Sequence, residues 1–157
     1  MTLLSRKADY ALLILSHLHH APEGGNARAV AERFNLGRPF VANILKELCQ
    51  KGFVSSTRGV KGGYTLAKPS RSITLAQLLE AIEDGFQLTV CTDHQPAATA
   101  CDVQHICPVK GPMNEIHQRL MGVLRSVTLA ELFSPTAEPS LIQTLGILAP
   151  HDQPSKA

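Results

Sequence analysis

No stretch of the sequence approaches the uninterrupted apolar run of about 20 residues that a membrane-spanning helix needs. Arg6 and Lys7 do precede the apolar run ALLILSHL, in the manner of a secretory signal. Asp9 and the pair His19-His20 interrupt that pattern, and no small-x-small cleavage site follows. The chain is therefore read as cytoplasmic, with no membrane partner. Cysteine is scarce, at four residues in 157, and three of the four fall in one stretch, CTDHQPAATACDVQHICP, residues 91–108. In a reducing compartment, clustered cysteines point to metal or redox chemistry rather than to structural disulfides. Three is also awkward for disulfides, because pairing any two strands the third. No nucleophile, base and orienting group can be assembled from the sequence, so an enzyme is not expected.

What is present is enough for a core. Hydrophobic residues make up 44% of the chain, which excludes wholesale disorder. The length suits one compact domain, or a small domain with a helical arm and a tail. The net charge of +2 conceals an uneven distribution. Residues 1–72 hold eleven Lys and Arg against four Asp and Glu, a balance of +7; residues 73–157 hold four against nine, a balance of −5. A basic front half joined to an acidic back half points to a polyanionic partner for the front.

Helix and turn signals organise the chain. Ser5 caps a helix running to about His19, with Ala8, Ala11, Leu12, Leu15 and Leu18 on its apolar face and Asp9 far round from it. APEGGN is a loop, ARAVAERF a short second helix, and NLGR a turn. A third helix opens at Pro39, where a first turn tolerates proline, and closes before Gly52. Val41, Ile44, Leu45 and Leu48 form its apolar stripe, with Asn43, Lys46 and Gln50 opposite. FVSSTRGVKGGYTLA then reads as a β-hairpin with a basic, glycine-rich tip. The expected fold is mainly α with a small β-hairpin wing: a winged helix-turn-helix over residues 1–72, followed by a long dimerisation helix.

Residues 73–133 are expected to carry the cysteine loop and the dimerisation helices. Thr74 with Gln77, and Thr128 with Glu131, form capping boxes for two short helices, the first followed by Gly85. Between them a longer helix is expected over about Pro112–Val127. Its Met113, Ile116, Leu120, Val123 and Val127 step like a coiled-coil seam about two heptads long. That pattern fits a homodimer seam and a helix packed on its own domain equally. Residues 134–157 read as a loose tail, with LIQTLGIL a short docking helix within it.

The third helix would enter the major groove of double-stranded DNA. Arg38 suits guanine, Asn43 and Gln50 suit adenine, and Lys46 suits phosphate. The wing tip adds Arg58 and Lys61 on a glycine-rich turn that includes Gly62. Without side chains there, the backbone can approach the sugar–phosphate ridge while Arg58 enters the minor groove.

Nine residues separate Cys91 from Cys101, and five separate Cys101 from Cys107. Structural zinc sites usually show close pairs, and none occurs here. Wider gaps suit an iron–sulfur cluster, for which thiolate is the usual ligand and a following proline such as Pro108 is familiar. A thiol switch and an unusual zinc site stay open on spacing alone. Cys49, at the edge of the third helix's apolar face, reads as packing.

With these motifs in view, residues 3 to 133 resemble the iron–sulfur winged-helix regulators of the Rrf type (IscR/NsrR/RirA-like). SRKADYAL, GFVSSTRGVKGGYTLA, ITLAQLLEAIE, the three-cysteine loop and LMGVLRSVTLAEL carry the likeness. The resemblance implies a homodimeric transcription factor, a repressor, that senses iron–sulfur status, nitric oxide or redox state through a 2Fe-2S or 4Fe-4S cluster. It implies Cys91, Cys101 and Cys107 as metal ligands, and Arg58 as the minor-groove arginine. Phe40 takes the place of an aromatic at the start of the recognition helix. Pro39 and Ala42 replace polar residues that IscR-like members use for base reading, and Lys110 replaces their ligating histidine. Asp9 matches the aspartate that NsrR-like members donate across the dimer, and is the candidate fourth ligand ahead of His105 and His94. Two alternatives stand beside this one: a cluster-free thiol-switch regulator, and an iron–sulfur carrier protein.

Overall fold

The structure is a computed structural model and describes residues 4–59, 62–83, 86–89, 101–103 and 105–134. Ser5 sits in extended backbone, and its hydroxyl accepts from the Ala8 amide at 3.2 Å. That cap starts helix α1, Arg6–His20. Ala8, Ala11, Ile14, Leu15 and Leu18 are its buried residues. Leu12, expected on this face, is half-buried, and Ile14 is fully buried instead. The reason is that α1 is packed from several directions, so its buried arc is wider than one stripe.

Asn26 caps α2, Ala27–Phe34, by accepting from the Ala29 amide at 2.8 Å. Asn35 closes it in the left-handed region at φ 51°. Helix α3 spans Arg38–Gln50, beginning one residue before the expected Pro39, which still lies in the first turn. Val41, Ile44, Leu45 and Leu48 are buried as their spacing predicts. Gly52 follows with φ 76°. α2 and α3 pack on each other, as in a helix-turn-helix, and α3 packs on α1.

Strands β1, Val54–Thr57, and β2, Gly63–Leu66, pair antiparallel with Val54 opposite Leu66 and Thr57 opposite Gly63. The hairpin is tied to the α1–α2 loop. The Gly25 amide donates to the Tyr64 carbonyl at 2.9 Å, and the Tyr64 amide donates back at 2.8 Å. Gly24 makes this approach possible: its φ is 90°, and a Cβ there would lie 2.9 Å from both Thr65 Cγ2 and Tyr64 O.

Beyond a 3-10 turn at Ser70–Ser72, helices α4, Leu75–Ile82, and α6, Leu129–Phe133, each open on a complete capping box, from Thr74–Gln77 and Thr128–Glu131. The two caps lie side by side. The Leu75 amide donates to Val127 O and the Leu129 amide to Ile73 O, both at 2.9 Å. Helix α5, Lys110–Ser126, begins two residues before the expected Pro112. It packs on α4 and turns His117 and Met121 inward. Of the expected seam, Met113, Leu120 and Val123 are half-buried, and Ile116 is 51% exposed.

One apolar core gathers residues of α1, α2, α3, β1, α4, α5 and α6. The Ser5 amide donating to a Glu83 carboxylate oxygen at 2.9 Å ties the start of α1 to the end of α4. Gly85, Lys61, Cys91, His94 and the LIQTLGIL segment lie outside the described residues.

Candidate nucleic-acid interface and cysteine loop

The buried stripe of α3 fixes which residues face outward. With Val41, Ile44, Leu45 and Leu48 inside, Arg38, Asn43, Lys46 and Gln50 are exposed. Phe40 is 39% exposed at the helix start. It meets Tyr10 of α1 edge to face, with ring centroids 5.1 Å apart, the geometry aromatic quadrupoles favour. Near the other end of α3, Glu47 accepts from Lys7 Nζ at 3.1 Å. The first turns of α1 thus touch α3 at two points.

Arg38 is the first residue of α3, and its guanidinium lies 3.7 Å from Glu32 Oε1 of α2. The same carboxylate oxygen accepts from Arg28 Nε at 2.7 Å. The Arg28 hydrogen bond holds the Glu32 carboxyl below the usual carboxylate range, with the charges of Arg28 and Arg38 adding to it. This arrangement was half visible in the sequence: Arg28 and Glu32 are spaced i,i+4 on one helix, whereas the reach from Arg38 crosses the turn.

At the wing, Arg58 and Gly59 are exposed, with Gly59 at φ 119°. The Gly62 amide donates to the Gly59 carbonyl at 2.8 Å. A side chain on Gly62 would collide with the carbonyl oxygens of Thr57 and Gly59. Glycine is required there so that the turn can close.

Cys101 and Cys107 are free thiols, both half-buried, on the stretch before α5. Asp9 is exposed on the first turn of α1. Among the described residues, no three His, Cys, Asp or Glu side chains come together as a metal site. Asp9 therefore does not join Cys101 and Cys107 within one chain. Cys49 packs against the core, where burial pushes its thiol up, partly opposed by a hydrogen bond with Ser56. Among the described residues, no helix is long and apolar enough to cross a membrane.

Three helices with α2 and α3 in a helix-turn-helix, followed by a hairpin with an exposed arginine at its tip, define a winged-helix regulator of the DNA-binding class. Residues 4–135 match the Rrf2 family, described as iron-dependent transcriptional regulators. The chain belongs to that family and is a transcriptional regulator, not an enzyme. It is 32% identical over 135 residues to the HTH-type transcriptional regulator slr0846 of Synechocystis sp., covering 83% of this chain and 86% of that one. It is 30% identical over 146 residues to the HTH-type transcriptional regulator NsrR of Oceanobacillus iheyensis, covering 92% and 97%. The structure of CymR, the global cysteine regulator of B. subtilis, superposes with a TM-score of 0.67 over 85% of this chain and 97% of that one. At 24% identity, that likeness speaks for the fold alone.

Proposed function

We propose that the protein is a homodimeric repressor whose affinity for a DNA operator is set by an iron–sulfur cluster held on Cys91, Cys101 and Cys107. The observation that carries this reading is the cysteine stretch itself. Two of its thiols are described, free and half-buried, just before α5, in a chain of an iron-dependent regulator family. Three thiolates suit iron, and one weaker oxygen ligand would leave such a cluster exchangeable, as a sensor requires. When bound, the cluster would supply a redox-active centre that nitric oxide or oxidants can modify. Since Asp9 does not join the thiols within one chain, its candidacy as the fourth ligand requires a second copy to donate it.

A second copy is also favoured by apolar exposure around the loop. Val103, Ile106, Val109 and Ile116 are all more than half exposed, Ile106 at 72%. Residues of this kind are normally covered by a partner when they cluster. Two copies place two α3 helices on one duplex, and each copy contacts its half-site with Arg38, Phe40, Asn43 and Lys46 of α3 and with Arg58, Lys61 and Gly62 of the wing.

Purification without oxygen, followed by iron and sulfide analysis, tests the cluster. The expected result is stoichiometric iron and sulfide in the parent protein and in Cys49→Ser, with loss in Cys101→Ser and Cys107→Ser. Asp9→Ala should weaken iron retention without changing thermal unfolding. Full iron content in the Cys101 and Cys107 variants would overturn the assignment. A parent protein that stays colourless after reconstitution would move the loop to thiol or zinc chemistry.

A further inference from the structure

Glu32 is an acidic residue on α2, the helix that precedes α3, and it engages two arginines, one of them Arg38 at the start of the helix proposed to face DNA. Its Oε1 lies 2.7 Å from Arg28 Nε and 3.7 Å from Arg38, and all three side chains are more than half exposed to water. Nothing in the core needs this arrangement. An exposed ion pair of this kind contributes little to folding, so its consequence lies elsewhere. Arg28 and Arg38 both carry charge that attracts the phosphates of DNA of any sequence, and Glu32 places a negative charge between them.

We propose that Glu32 is a specificity-determining residue, which lowers affinity for DNA of arbitrary sequence by competing with phosphate for Arg28 and Arg38. The inference rests on the reading of α3 as the DNA-facing helix. Non-specific binding comes almost entirely from phosphate neutralisation. A carboxylate that occupies two arginines otherwise open to phosphate therefore penalises it directly. At an operator, the base-edge contacts of α3 add affinity that arbitrary sequence lacks, and the arginines can exchange Glu32 for DNA, Arg38 for a guanine edge and Arg28 for phosphate. The residue thus widens the ratio between specific and non-specific binding, the quantity that matters against a genome of competing sites.

The test is binding to mixed-sequence duplex, made by shearing genomic DNA, at stepped potassium chloride concentrations. Glu32→Gln keeps the size and removes the charge. It should bind this DNA about three- to tenfold more tightly at low salt, with the slope of log affinity against log salt steeper by about one. Glu32→Asp keeps the charge and should bind like the parent. The gain should vanish when Glu32→Gln is combined with Arg28→Ala and Arg38→Ala. Arg38→Ala alone tests the underlying interface: unchanged affinity and slope would show that α3 is not the DNA face. If Arg38→Ala weakens binding while Glu32→Gln leaves it unchanged or weaker, Glu32 only orients the arginines and the inference is overturned. An equal gain in Glu32→Asp and Glu32→Gln would likewise overturn it, because charge would not be the cause.

Discussion

His17 lies where α1, the α1–α2 loop and α2 meet. Its ring stands edge-on to Phe34 of α2, with centroids 6.2 Å apart. A Cβ on Gly25 would lie 3.1 Å from its Nε2. Its Nδ1 is buried and, among the described residues, has no hydrogen-bond partner. Burial, together with the positive charge of Arg33, lowers its pKa below the ordinary imidazole value. The unfolded chain therefore takes up this proton first as pH falls. Above the unfolded value of about 6.5 the residue has no effect on the pH dependence of stability, and below it stability is lost. Comparing His17→Gln with the parent by urea unfolding at about pH 7 and pH 5 should show a smaller acid-induced loss in the variant. Equal losses would contradict this account. The sequence shows His17 only as a surface or packing residue, because its neighbours arrive from the α1–α2 loop and from α2. By contrast, the outward set on α3 was legible, since four apolar residues at helical spacing leave Asn43, Lys46 and Gln50 nowhere to point but outward. Ile14 was not, because a single-stripe reading underestimates a helix packed by several neighbours.

Element boundaries follow from caps that can be read directly. Ser5, Thr74 and Thr128 each accept from the backbone amide three residues on, and α1, α4 and α6 start immediately after them. α3 and α5 lack a side-chain cap bond at their starts, and these are the two helices that begin earlier than expected. Proline was taken as the first residue of each, whereas the first turn has room for it one or two positions further in. The capping box at Thr74 gives a quantitative expectation. Thr74→Ala should cost about 1 kcal/mol of unfolding free energy, whereas Thr74→Ser should retain nearly all of it. Denaturant unfolding measures both, and equal losses would show that the hydroxyl is not the stabilising group. The inward face of α5 was the least legible feature. Its apolar residues suit two packing faces, and burial of His117 with Met121 picks the one that meets α4.

For the whole molecule, α1 links the two proposed functions. Its core face packs in the same cluster as α3, α4 and α6. Its first turns contact α3 through Tyr10–Phe40 and Lys7–Glu47, and its cap residue Ser5 is bonded to Glu83 beyond α4. Asp9 lies on the part of α1 that touches the helix proposed to face DNA, and α5, which follows the cysteine loop, packs on α4, which packs on α1, so cluster state and DNA affinity are expected to be coupled. The charge division of the sequence pointed to the half proposed to face DNA, whereas the proposed fourth ligand, Asp9, would have to come from a second copy, which one chain's pattern cannot display. The most direct measurement is operator affinity of the same preparation with its cluster intact and after anaerobic removal of iron, on an operator selected from random duplexes. The account predicts that the two affinities differ by about tenfold or more. Identical affinities at matched salt would contradict it.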